Sequence, residues 1–395
     1  MSRIVVTGMG IVTPVGNTVS ENHDALKAGK SGLSSIELFP TKYAGLLPFG
    51  EVKISNADFK DRLGVTHKGA TRTTLLALHA VEQAIMDAGL TVEELQSSDT
   101  ALIGGTTVGG MSESDNLYMD AYHNATGSEF LSSYNLGSVN IFIQNRHGIN
   151  GVINTINTAC SSSANAIAYG ARLIKHGFAK RAIVGGTDSL AKFTINGFNS
   201  LNILSSAPCR PFDADRSGLN LGEGAAYLVL EKEEDAKGKK IYAEVSGWAN
   251  TSDAFHPSSL SDDGEGPYLA MKQALESAKI KPEQIGFINT HGTATENNDE
   301  KESIAMKRLF GSVPAFASTK SNIGHTLGAA GAIEAVYCIL NLMHQEVYPS
   351  LRFEKPIEVS GLVPVIEYKK MKLGHVMSNS FGFGGNCSSL IFSKV

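Results

Sequence analysis

Cysteine is scarce in this chain: four thiols in 395 residues, with no CxxC pair among them. That excludes a disulfide framework and the paired-cysteine spacing of a structural zinc site, and it fits a reducing compartment. Charge is sparse too. Charged side chains make up 18% and the net charge is −5, so no basic stripe is available to neutralise phosphates and no nucleic-acid partner is expected. Long uninterrupted apolar runs are missing. The nearest approach, residues 327–343, carries Glu334 and Asn341 and is rich in Gly and Ala, which predicts a buried helix rather than a membrane span. Nucleotide loops are missing as well: Gly8-Met-Gly10 lacks the third glycine of a dinucleotide fingerprint, and Gly29-Lys-Ser31 has Asp24 where a Walker loop needs glycine. The chain enters a strand at Arg3-Ile-Val-Val-Thr7, so no secretory signal is expected. The expected location is the cytoplasm, and the two glycosylation sequons at Asn124 and Asn250 read as chance.

What is present is a large apolar fraction, 42%, and a weak internal repeat. The amphipathic segment 80–90 leads to the apolar run Ala101-Leu-Ile103, which ends in Gly104-Gly-Thr-Thr107. The segment 271–280 leads in the same way to Ile285-Gly-Phe-Ile288, ending in Thr290-His-Gly-Thr293. A second pair of segments, 164–174 and 330–340, consists of small-residue helices suited to a central layer between sheets. Runs such as Arg181–Gly186, beyond its leading arginine, and Ala226–Leu230 are apolar, as strands covered on both faces are. The predicted fold class is therefore α/β, with two duplicated halves, 1–240 and 241–395.

Each member of the second pair follows a reactive residue. Cys160, in Asn157-Thr-Ala-Cys-Ser-Ser-Ser163, stands at the head of a serine-rich helix, where the dipole favours thiolate and serines can satisfy orphan N–H groups. His291, in a Gly/Thr-rich turn at a strand end, and His325, at the start of a helix that should keep its imidazole neutral, are candidate hydrogen-bond donors. Lys320 is a further candidate five residues before His325. One thiol and two donors around a single carbonyl describe acyl chemistry through a thioester. Cys209, Cys338 and Cys387 read as structural, and with no HExxH or CxxC pair to anchor a metal, none is expected.

These blocks, with Thr7–Gly16, Arg210-Pro-Phe-Asp213, Gly222-Glu-Gly-Ala225, Lys320-Ser-Asn-Ile-Gly-His-Thr-Leu-Gly-Ala-Ala-Gly331 and Ser378–Gly385, run from end to end of the chain. In that order they resemble an elongating β-ketoacyl-[acyl-carrier-protein] synthase of the thiolase superfamily. The resemblance implies a thiolase-like αβαβα layering. It also implies decarboxylative condensation of malonyl-carrier protein with an acyl-enzyme, no bound cofactor, and substrates carried on the phosphopantetheine of acyl carrier protein. It implies roles as well. Cys160 takes the acyl chain, and His291 and His325 donate to the malonyl thioester oxygen. The backbone N–H groups of Cys160 and Phe383 hold the oxyanion, and Phe383 also gates the acyl pocket. Lys320, Glu302 and Glu334 form a buried polar network, Thr293 and Thr295 contact the pantetheine arm, and Val108 limits acyl length. Lys68 and Arg72 lie in a stretch similar to the carrier-protein docking region of relatives. The implied assembly is a homodimer, or a heterodimer with a related subunit.

The two-histidine pattern differs from the Cys/His/Asn set of synthases that start chains from acyl-CoA, and Gly384-Gly-Asn-Cys387 differs from the thiolase C-terminal cysteine. A chain-length factor would lack the nucleophile that Cys160 supplies. Asn386-Cys387 and Glu296-Asn-Asn-Asp299 depart from the common pattern, and both are expected at the pocket rim, where they bear on the choice of substrate. A polyketide or aryl-polyene enzyme would keep the same catalytic residues.

Overall fold

The computed structural model describes residues 2–395. Ten strands carry the architecture: β1 (Ile4–Val12), β2 (Thr100–Gly105), β3 (Ile153–Ile156), β4 (Arg181–Asp188), β5 (Gly224–Lys232), β6 (Ala243–Ser252), β7 (Ile285–Asn289), β8 (Ala315–Ala317), β9 (His375–Gly382) and β10 (Asn386–Ser393). Hydrogen bonding orders them β3-β2-β4-β5-β1-β6-β10-β9-β7-β8. The two sets of five have the same topology. In each, the first strand pairs antiparallel with the fifth, the fifth antiparallel with the fourth, the fourth parallel with the second, and the second parallel with the third. The duplication read from the sequence is thus a duplication of strand order and direction. The sets meet at a short seam in which Val5 pairs with Glu244 and Val6 with Ala243.

Five helices complete the layers: α1 (Arg72–Asp87), α2 (Ser162–Lys175), α3 (Glu265–Ala278), α4 (Glu296–Phe310) and α5 (Ala330–His344). The central helices α2 and α5 each touch strands of both sets, so the sheet wraps around them. They approach with backbone closeness, because a Cβ at Gly331 would lie 2.7 Å from Ala164 Cβ. Helix α1 covers the first set from outside, while α3 covers the second and α4 packs on α3. The αβαβα order follows. Gly8 and Gly10 serve this packing, since a Cβ there would meet the carbonyls of Ala84 and Ala80 in α1. The apolar segment Leu327–His344 is long enough to cross a membrane, yet 89% of it is buried inside the fold, as a central-layer helix must be.

Strand burial explains the sequence pattern. Every residue of β1 is buried, so alternation is lost. Fully burying each of these valines and isoleucines contributes about 1.5–3 kcal/mol relative to exposure.

Candidate active site

The reactive residues gather where strands end, as ligand sites do in α/β sheets. Cys160 follows β3 and precedes α2. His291 follows β7, Phe383 follows β9, and His325 lies between β8 and α5. Ala159, just before Cys160, is held at φ 52°, and Leu327, two residues after His325, at φ 54°. Both are left-handed conformations that an L side chain adopts at a cost of roughly 1–2 kcal/mol, so the surrounding contacts must enforce them. The serines do part of this, in a way the sequence did not suggest. Ser162 Oγ accepts from the Thr158 N–H at 2.9 Å and donates to the Ala159 carbonyl at 2.6 Å, tying the turn before the helix. Ser163 Oγ accepts from the Ala332 N–H of α5 at 2.9 Å.

Cys160 Sγ lies 3.0 Å from His325 Nε2. The Leu327 N–H donates to His325 Nδ1 at 3.2 Å, so the proton of the neutral ring sits on Nε2, which points at the sulfur. The His291 ring meets that of His325 edge-on, with centroids 5.4 Å apart. The sulfur and one nitrogen of each ring fall within 4.8 Å of one another. His291 Nδ1 is buried with no partner in the protein. The position of its backbone is set by Glu302, whose carboxylate accepts from the N–H groups of His291 and Gly292, both at 2.9 Å.

Burial decides the protonation states. It drives both histidines well below the ordinary imidazole value, with the Lys320 ammonium pushing the same way, so both rings are neutral. For His325 the sequence reading expected this direction from the start of a helix; the leading cause is burial. For Cys160 the expected direction is overturned: burial raises the thiol to about 11, although Lys320 and the backbone N–H groups of Phe383 and Cys160 pull it down. Lys320 Nζ donates to Glu334 Oε1 at 2.5 Å in a pair that is 2% exposed on either side. Burial raises both Glu334 and Glu302, each to about 7, with Lys320 pulling Glu334 back down.

Two cavities meet at the sulfur. One, of 420 Å³, is lined by His291, His325, Thr293 and Thr295, with Glu296 and Asn297 also on its wall. The other, of 370 Å³, is lined by Val108, Met111, Phe193, Leu327 and other largely apolar groups. Cys160, Phe198, Leu201 and Phe383 belong to both. The rings of Phe198 and Phe383 stack with centroids 5.7 Å apart and 16° between planes, standing between the two spaces. Phe198 escaped the sequence reading because it lies in an unremarkable helix, Lys192–Ser200, with no motif around it.

Arg72 requires correction. It is 5% exposed, and its guanidinium donates to Glu223 and to the carbonyls of Val52 and Ile54. It is a structural ion pair and no part of a docking surface; only Lys68 of that pair is exposed. Cys387 stands close behind the cavity wall, since Leu260 and Phe381 line the 420 Å³ cavity. It is buried against Leu260, Ala270 and Phe381, while Glu296 and Asn297 are on the cavity wall as expected.

The model for the β-ketoacyl synthase N-terminal domain matches residues 1–236, and that for the C-terminal domain matches residues 242–354. The chain belongs to the β-ketoacyl synthase family. Along its whole length it is 36% identical to 3-oxoacyl-[acyl-carrier-protein] synthase 2 of Vibrio cholerae, covering 99% of that protein. It is 32% identical to the mitochondrial 3-oxoacyl-[acyl-carrier-protein] synthase of Arabidopsis thaliana, covering 93%. Among solved structures, the ishigamide ketosynthase/chain length factor superposes with a TM-score of 0.94 at 30% identity, covering 100% of this chain and 99% of that one. The ketosynthase ApeO in complex with its chain length factor ApeC, from Xenorhabdus doucetiae, gives 0.87 at 33% identity, covering 100% and 98%. The synthase is thus an acyltransferase with the thiolase-like fold. Its reaction is decarboxylative Claisen condensation on carrier-bound thioesters.

Proposed function

We propose that the synthase elongates fatty acyl chains on acyl carrier protein, with Cys160 as the acyl acceptor. The observation that carries this is the convergence of one thiol and two neutral imidazoles where a channel of mixed polarity meets an apolar pocket. The pantetheine arm enters past Thr293 and Thr295, and the acyl chain lies beyond the Phe198–Phe383 stack, over Val108. Cys160 Sγ attacks the thioester carbonyl, the oxyanion is held by the N–H groups of Cys160 and Phe383, and the pantetheine thiol leaves with the proton of the cysteine. Malonyl-carrier protein then enters. Its C–C bond to the carboxylate breaks, CO₂ departs, and His291 and His325 donate to the thioester oxygen on which charge gathers. The resulting enolate carbon attacks the acyl carbon, and the C–S bond to Cys160 breaks to return the thiolate. Lys320, paired with Glu334, polarises this centre, and Glu302 holds the His291 turn.

We place the synthase in the cytoplasm as a homodimer, with Lys68 among the groups that meet the carrier protein. A second reading, pairing with a chain-length-factor subunit in a polyketide or polyene pathway, draws on the likeness to the two ketosynthase/chain-length-factor structures. Incubation with acyl-carrier protein and peptide mass analysis tests the assignment. The acyl mass is expected on the peptide bearing Cys160 and absent in Cys160→Ala. An adduct on Cys209 or Cys387, with Cys160→Ala still elongating, refutes it.

A further inference from the structure

One buried carboxylate has no part in the chemistry above. Asp188 ends β4, is fully buried, and accepts hydrogen bonds from two separate segments, 106–108 and Gly328. Oδ1 takes the Thr106 hydroxyl at 2.7 Å, the Thr107 N–H at 2.9 Å and the Val108 N–H at 2.8 Å. Oδ2 takes the Thr107 hydroxyl at 2.6 Å, the Thr107 N–H at 3.0 Å and the Gly328 N–H at 2.7 Å. Every partner donates in this arrangement, so the array favours the ionised carboxylate against the upward pull of burial. Gly328 leaves no slack, because a Cβ there would lie 2.8 Å from Asp188 Oδ2.

The Gly328 bond has a specific consequence. Gly328 follows Leu327, whose left-handed backbone carries the N–H that donates to His325 Nδ1. Released from its anchor, Leu327 would relax toward negative φ, and its N–H would turn away from the ring. His325 would then lose the one contact that places its proton on Nε2. The other donors to Asp188 belong to the turn that floors the acyl pocket at Thr107 and Val108.

We propose that Asp188 is a positioning residue that holds His325 in the Nε2–H tautomer through Gly328 and Leu327, while fixing the acyl-pocket floor to the same point. Its effect on turnover rests on the donor role given to His325 above. The link to the tautomer does not.

The test is a long-range ¹H–¹⁵N spectrum of the full-length enzyme with ¹⁵N-labelled histidine, alongside self-acylation and malonyl-carrier-protein decarboxylation assays. Wild type should show His325 as a single Nε2–H tautomer. Asp188→Asn, which presents N–H groups where acceptors are needed, should show both tautomers, with decarboxylation at least tenfold slower and self-acylation reduced far less. Thr106→Val removes a donor remote from Gly328 and should leave the tautomer unchanged. Gly328→Ala wedges the same contact and supplies the reading if Asp188→Asn does not fold. A single Nε2–H tautomer in both Asp188→Asn and Gly328→Ala overturns the proposal. Mixed tautomers with undiminished decarboxylation uphold the positioning link and refute the donor role of His325.

Discussion

The two halves of the synthase share one topology and use it for different ends. In the second half, the turn after β7 carries His291 and the threonines of the channel. In the first, the equivalent turn after β2 carries Thr107 and Val108, which line the apolar cavity. The residue ahead of the central helix is Cys160 in one half, the proposed acyl acceptor, and His325 in the other, the proposed hydrogen-bond donor. Strand order therefore fixes where a reactive group can stand, and the side chain placed there fixes what it does. Duplication supplied matching positions, and the chemistry came from filling them unequally.

The largest effect should come from emptying the donor positions of the second half. His291→Ala and His325→Ala should each slow malonyl decarboxylation by about 10²–10³, the usual cost of one oxyanion donor, while self-acylation survives. Because burial holds both rings neutral, wild-type decarboxylation should show no loss from ring protonation as the pH falls through 6.5. Near-normal decarboxylation in both variants would erase the division of labour between the halves.

Filling the corresponding turn of the first half should change selectivity instead. Val108→Phe overpacks the apolar cavity at a cost of roughly 1–3 kcal/mol, enough to reduce use of long acyl chains about tenfold or more relative to short ones. An unchanged chain-length profile in competition assays would mean that the acyl chain runs elsewhere.

The nucleophile tests burial against the helix dipole. With the thiol raised to about 11, alkylation of Cys160 by iodoacetamide in the resting enzyme should still be accelerating above pH 9. A rate already level near pH 7 would return the dipole as the dominant influence.

The smallest effect concerns the surface. Lys68→Glu should raise KM for acyl-carrier protein a few-fold at low salt and leave a small pantetheine thioester unaffected. Equal effects on both substrates would remove Lys68 from the docking surface. Arg72 cannot report on docking, because breaking its buried pair with Glu223 should cost about 3–5 kcal/mol of stability.

The residues of the reaction centre were legible because each stands in a compact block whose residue types the chemistry requires. The strand pattern and the repeat were legible for a similar reason, since burial on both faces and close helix packing leave continuous marks in sequence. Arg72 was misjudged because its environment is made by Glu223, Val52 and Ile54, which no local pattern announces. The thiol shift was misjudged for a related reason: a helix start can be read in sequence, whereas the depth at which it is buried cannot. Phe198 and Asp188 went unnoticed because their roles lie in partners from distant segments, Phe383 for one and Gly328 for the other.

The stacked rings of Phe198 and Phe383 carry a kinetic consequence. If one mouth serves both carriers in turn, the first carrier must depart before the second can donate. Turnover is then of the ping-pong kind, with parallel lines in double-reciprocal plots. A malonyl carrier that arrives early occupies the mouth of an enzyme holding no acyl group. Excess malonyl-carrier protein should therefore inhibit competitively against acyl-carrier protein, so that the ratio of the two carriers, as well as their amounts, governs the rate of chain growth.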